Sequence, residues 1–314
     1  MTLSYWGRLL SYHSTELIQK KLFECYKELP IDNINETSYN NCYRFIYFLK
    51  HGENFFKQAE HSPYSIQPML LFYGVSQLIK ACLLTVDPNY PETSSVLAHG
   101  VSSRKRKKQQ YSFLKDEVKI QKNGLFPHIA KKLYNINHLE TEKYSMEYLF
   151  KHIAEMDEII TFHTSKSCFN KVEFKDNFFI LTDQISQHYH LSAYRFAEYL
   201  CDKYGFSIFK NINNEVYITK EGGMYYDIQP FSYNMSDQLY YLPSDRDSLS
   251  LLPELLSHYL ILYNLSMISR YETEWWYDLL LTAPNSDYPF ILRYLEIVKR
   301  KIPFFVYEFL KDTI

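Results

Sequence analysis

The segment SPYSIQPMLLFYGVSQLIKACLLTVDPNYP, residues 62–91, decides how the rest of the chain is read. Between Met69 and Leu84, apolar residues fall on nearly every side of a helical projection. Such a helix is predicted to sit at the centre of its unit rather than on a surface. Ser65 is placed to cap it, and Pro68 falls in the first turn, where a missing N–H costs little. Pro88 and Pro91 stop it.

On the N-terminal side, Trp6, Leu9, Leu10, Leu17, Ile18, Leu22 and Tyr26 mark one apolar face of a helix over residues 3–29, ended by Pro30. A polar connector leads to a second helix over residues 41–57. On the C-terminal side, residues 116–121 read as a strand. Asn123-Gly124 then predicts a tight turn with paired extended segments before and after it. Short helices are expected over residues 126–134 and 146–156.

From about Thr161 the pattern changes. KVEFKDNFFILTD alternates and predicts a hairpin turning at Asp176-Asn177. SAYRFAEYLCDKYGF predicts a helix capped by Ser192 and ended by Gly205. Two or three short strands follow, with turns at Asn213-Asn214 and Gly222-Gly223. Helix returns over residues 251–281 and again over 290–310, with a break expected at Pro303. The fold class expected is mainly α, as two helical lobes with a small α+β insert. The expected units are residues 1–158, carrying a basic loop and the hairpin, an insert at 159–246, and a C-terminal helical unit at 247–314 packing on the first.

Composition excludes several functions. A net charge of −2 argues against a globally basic nucleic-acid binder, so any anion site must be local. Only 8 glycines are present, and no Gly-rich phosphate loop can be assembled from them, which removes Rossmann and P-loop readings. The 5 cysteines are isolated and lack CxxC spacing, so neither a zinc knuckle nor a disulfide framework is expected. No signal peptide and no membrane span is read, and no cofactor is expected. A cytoplasmic protein is the expectation.

Polar chemistry concentrates in LAHGVSSRKRKKQQYSFLKDEVKIQKNGLF, residues 97–126. His99, Ser102 and Ser103 lead into five consecutive cations, Arg104, Lys105, Arg106, Lys107 and Lys108. Such a run suits an exposed loop gripping an anion, with hydroxyls able to join the same phosphate and His99 gaining charge below about pH 6.5. It equally suits a solvated basic loop. Further on, LSMISRYETEWW places Ser266, Arg270 and Glu274 four apart on one helical face. Arg270 is therefore expected to be mostly buried and paired with a carboxylate such as Glu274, and is a candidate second wall of the anion site. His188 and His190 have metal-ligand spacing but no identifiable third ligand, so a solvated turn is the expectation there.

The stretches LLFYGVSQLIKACLLTVDPNYP, LAHGVSSRKRKKQQYSFLKDEVKIQKNGLF and SMISRYETEWW together resemble the YaaC-like family of bacterial proteins, and the HG-x-S-x-RK-x-KK block at residues 99–108 is its specific signature. The resemblance implies a cytoplasmic protein often encoded beside the gene for IMP dehydrogenase, and hence a partnership with purine-nucleotide metabolism. It brings no catalytic residues with it. The expected function is a non-catalytic regulatory protein that binds IMP dehydrogenase or a purine nucleotide through the basic loop and Arg270. The alternative is a HEPN-like ribonuclease or nucleic-acid-binding protein. Arg8…His13 and Arg44…His51 fit that loose spacing, although Leu9 and Phe45 stand where those enzymes usually carry a polar residue.

Overall fold

The structure, a computed structural model, describes residues 4–103, 111–139, 141–222 and 225–314. The cations Arg104, Lys105, Arg106, Lys107 and Lys108 and the turn residue Gly223 lie outside the described residues. The fold is mainly α, with two antiparallel sheets of 3 and 6 strands. The chain divides into two compact units, residues 1–146 with 258–314, and residues 147–257.

The first unit begins with α1 (Tyr5–Leu9) and α2 (Thr15–Tyr26), so the single helix expected over 3–29 is broken. Ser14 is the reason: its backbone turns extended and its hydroxyl accepts the Leu17 N–H, capping a new helix. Helix α3 (Ile34–Glu60) starts well before residue 41, within the polar connector, because Asn33 and Glu36 form a reciprocal cap. The central helix α4 (Gln67–Val86) crosses α3 at two glycines. A Cβ on Gly52 would meet Leu78 at 2.6 Å, and one on Gly74 would meet Phe56 at 2.7 Å, so the backbones approach as only glycine permits. Ile66 takes the N-cap position of α4 without a side-chain bond, so Ser65 does not serve as its cap.

Helix α4 is buried on almost every side, as its composition demands. What remains partly open is a stripe of Met69, Tyr73, Gln77 and Lys80 along one face. Among the described residues, α4 is the helix long and apolar enough to cross a membrane, and it is mostly buried within the protein.

Strands β1 (Val101–Ser103), β2 (Glu117–Ile120) and β3 (Lys143–Ser145) form the smaller sheet, with β2 in the middle. This overturns the expected hairpin at Asn123-Gly124. Instead of a second strand, the chain enters α5 (Leu125–Tyr134) directly after Gly124. Its first N–H groups are already committed: Leu125 donates to the Ala98 carbonyl at 2.7 Å and Phe126 to that of His99 at 3.1 Å. The edges of β2 are filled by β1 and β3, so nothing is left for a returning strand to pair with.

The chain enters the second unit within α6 (Met146–Phe150), which is followed by α7 (Asp157–Thr164). Strands β4 (Phe169–Lys175) and β5 (Phe178–Thr182) form the expected hairpin, with Asp176 and Asn177 both at positive φ (53° and 66°) as a two-residue turn requires. A short α8 (Asp183–Ser186) precedes α9 (Ala193–Tyr204), capped by Ser192 and ended by Gly205. His188 and His190 are exposed in the intervening turn, and no group of three potential metal ligands occurs among the described residues. Strands β6 (Ser207–Ile212), β7 (Glu215–Thr219), β8 (Ser232–Asn234) and β9 (Leu239–Pro243) complete a sheet of order β6-β7-β5-β4-β9-β8. Phe179, Phe196, Leu200, Ile218 and Phe231 fill the core between sheet and α9.

Helix α10 (Glu254–Tyr271) carries the chain back to the first unit, followed by α11 (Thr273–Thr282) and α12 (Asp287–Thr313). The long helix expected over 251–281 is therefore two helices. The break is Glu272, at φ −117° and ψ 50°. Conversely, α12 runs through Pro303 without the expected break. One proline removes a single helical hydrogen bond, and the buried row Ile302, Pro303, Phe304, Phe305 and Val306 holds the helix against its neighbours.

Candidate functional site

His99 follows the loop after α4 and precedes β1. Its carbonyl is held from two sides, by the Tyr259 hydroxyl at 3.0 Å and by the Phe126 N–H. Its ring stands edge-on to Phe72, centroids 4.9 Å apart, and between Tyr73 and Tyr263 at 6.3 and 5.9 Å. Burial lowers its pKa, and the charges of Arg270 and Lys80 lower it further. The imidazole therefore takes up its proton at lower pH than an exposed histidine does.

Arg270, at the end of α10, is half-buried and reaches the same place. Its Nη1 donates to the Tyr73 hydroxyl at 3.3 Å, its Nε to the Ser266 carbonyl at 2.9 Å, and its Nη2 contacts Met267 Sδ at 3.3 Å. The guanidinium also lies 5.2 Å from the Tyr271 ring centroid. Among the described residues, every partner is neutral. The expected pair with Glu274 is not formed, because the break at Glu272 destroys the i,i+4 relation and leaves Glu274 exposed on α11. Glu274→Ala is therefore expected to change stability by less than about 0.5 kcal/mol, checked by urea unfolding.

Lys80 supplies the second cation, from the partly open stripe of α4. Burial lowers its pKa, and its ammonium lies 5.8 Å from the Phe48 ring centroid. The two charges that lower the His99 pKa, Arg270 and Lys80, are both cations, so the surroundings of the ring are positive among the described residues. A half-buried guanidinium bonded only to neutral groups is a poor final state for a charge and a good receptor for an anion.

Ser102 and Ser103 join this arrangement less simply. Neighbouring strand residues point to opposite faces, so the two hydroxyls cannot both turn to one phosphate. Ser102 lies opposite Lys119, and its Oγ accepts from Gln121 Nε2 at 2.6 Å. Ser103 lies opposite buried Val118, and its Oγ is buried without a partner among the described residues. Downstream of the basic run, the chain is clamped. Tyr111 donates to Asp116 Oδ2 at 2.7 Å, and the Asp287 carboxylate accepts the N–H groups of Phe113 and Leu114 at 2.7 and 3.3 Å. Burial raises the pKa of Asp287, against the lowering effect of those N–H bonds.

Of the ribonuclease-like pairs, Arg44 bonds the Asn41 side chain at 2.8 Å and the Tyr90 carbonyl, while His51 packs its ring on Phe55 at 4.6 Å. Arg8 lies near the rings of Tyr5 and Tyr307, and His13 sits on the following turn with Nε2 buried.

The sequence reading missed Lys80 and Tyr73. Their signal was present, since Lys80 is the one charged residue in an otherwise apolar helix. It missed Asp287 for a different reason: its contacts lie 173 to 175 residues away, which no local pattern encodes.

A family profile described as YaaC-like Protein matches residues 10–310. No curated protein matches the chain, and no solved structure does.

Proposed function

The chain belongs to the YaaC-like family, and from that premise we propose that it is a non-catalytic regulatory protein that docks an acidic side chain of a metabolic enzyme between Arg270, Lys80 and His99. The partner this reading favours is IMP dehydrogenase, from the gene neighbourhood that the family resemblance implies; on this reading the protein acts in the cytoplasm and in purine-nucleotide metabolism. One observation carries it: Arg270 is half-buried and every described group it touches is neutral. The surroundings fit a protein partner, since exposed Tyr271 beside Arg270, with Tyr277 and Leu281 exposed on α11, is the aromatic and arginine composition of interface centres. The basic run at Arg104–Lys108 adds long-range attraction that speeds encounter with an acidic surface.

The test is binding of purified IMP dehydrogenase at low and high salt. Arg270→Gln and Lys80→Gln are expected to weaken it roughly ten- to a hundredfold each, the scale of one lost charge-assisted hydrogen bond. Glutamate at Arg104, Arg106 and Lys108 together is expected to slow association more than it speeds release. Undiminished affinity in Arg270→Gln overturns the reading.

A further inference from the structure

Away from Arg270, the first unit holds a cleft of about 520 Å³ beside α5, within the range that encloses small organic ligands. Ile120, Ile136 and Leu139 line it with apolar surface, and Asn123 and Asn137 offer amide edges. Lys122 and Lys131 also line it, exposed and without an ion partner among the described residues. The acid of the cleft, Glu142, already has a cation 3.5 Å away in Lys119. Among the described residues that line it, the balance is positive.

His128 lines the same cleft and is oriented from behind. Its Nε2 lies 2.7 Å from Oδ2 of Asp87, a residue only 3% exposed, whose Oδ1 lies 3.3 Å from Lys132 Nζ. Burial alone would raise the Asp87 pKa, but the bond to His128 and the charge of Lys132 outweigh it and lower the value. Asp87 is therefore an anion at neutral pH and fixes the tautomer: Nε2 carries the proton donated to it. Nδ1, on the other side of the ring, has no hydrogen bond among the described residues.

We propose that this cleft is a ligand site for a nucleoside monophosphate. The phosphate lies between Lys122 and Lys131, the flat base rests on Ile120 and Ile136, and the open Nδ1 of His128 forms a hydrogen bond with a polar edge of the ligand. None of these residues belongs to the Arg270 cluster, so the two readings stand or fall separately. Each component answers a different part of one ligand: two cations for the dianion, an apolar wall for the ring, and a pre-aimed imidazole nitrogen for its polar edge. Inorganic phosphate satisfies only the first of these.

The test is calorimetric titration of the full chain with guanosine monophosphate, adenosine monophosphate and inorganic phosphate. At least one nucleotide is expected to bind once per chain, with phosphate at least about tenfold weaker, as expected when the ring and its hydrogen bond are missing. Lys122→Glu with Lys131→Glu is expected to remove nucleotide binding while leaving the thermal transition in place, since both side chains are exposed. Nitrogen resonances of the His128 imidazole are expected to shift on nucleotide addition. Arg270→Gln is expected to bind nucleotide as the wild type does. Failure of both nucleotides to bind at millimolar concentration, or wild-type affinity in the lysine double variant, overturns the proposal. Loss of nucleotide binding in Arg270→Gln alone would move the ligand to the other cluster and overturn it equally.

Discussion

Gly124→Ala is expected to be the most destabilising single-methyl change in the first unit. Gly124 has φ +130°, outside the range open to other residues, and it packs backbone to backbone on Gly100. An added Cβ would stand 2.3 Å from the Gly100 Cα, 2.4 Å from its nitrogen and 3.0 Å from the Ala98 carbonyl oxygen. None of these is a side-chain end that can swing away. Relief requires moving the loop whose Ala98 and His99 carbonyls accept the first N–H groups of α5, so strain and lost bonds add. Backbone strain of about 1–3 kcal/mol and overpacking of about 1–3 kcal/mol give roughly 2–6 kcal/mol together, a large share of an ordinary domain's stability. Gly205→Ala is the control. It sits at φ +72°, yet the nearest atom to its Cβ is the flexible Lys220 Cε at 3.9 Å, so only conformational strain remains, about 1 kcal/mol. The measurement is urea unfolding of both variants. Equal losses in the two would show that the contact between Gly100 and Gly124 is not what makes glycine necessary.

That contact also shows where sequence reading succeeds and where it stops. Asp176-Asn177 and Asn213-Asn214 were legible as hairpin turns because local backbone preference and flanking alternation point the same way, and both pairs take positive φ. Asn123-Gly124 carries an even stronger turn signal, yet its glycine is required by a neighbour 24 residues upstream, which local preference cannot register. The centre of the fold was legible for a simple reason: α4 has too little polar surface to lie anywhere else. Its single open stripe then became one wall of the candidate site, with Lys80 as the residue that did not fit the core. Arg270 was correctly picked out as a buried-side cation but given the wrong partner, because i,i+4 spacing has meaning only inside one unbroken helix. Pro303 failed in the opposite direction, where packing of the buried row outweighed a helix-breaking residue. The basic run Arg104–Lys108 lies outside the described residues, so the candidate site rests on His99, Lys80 and Arg270.

Asp87→Asn is expected to cost roughly 3–5 kcal/mol at neutral pH, the scale of breaking a buried ion pair from one side. Asp87 stands at the end of α4, almost fully buried, and joins that helix to His128 and Lys132 of α5. An asparagine keeps the shape but cannot offer a charge, and it turns an amide N–H toward one of two donors. The pH dependence identifies the cause. Against an ordinary value of 3.8, the folded carboxyl titrates lower, its burial outweighed by the His128 bond and the Lys132 charge. The unfolded state therefore binds the proton first as the solution is acidified. Stability supplied by this anion is fully present above the ordinary carboxylate range and is lost as pH falls through the folded pKa. Wild type and variant should thus be furthest apart at pH 7 and converge on acidification, as the wild type loses what the variant never had. Urea unfolding of both proteins at pH 7, 5 and 3 measures this directly. Curves that stay parallel would mean that Asp87 acts through shape alone, and the fixed tautomer of His128 would lose its anchor.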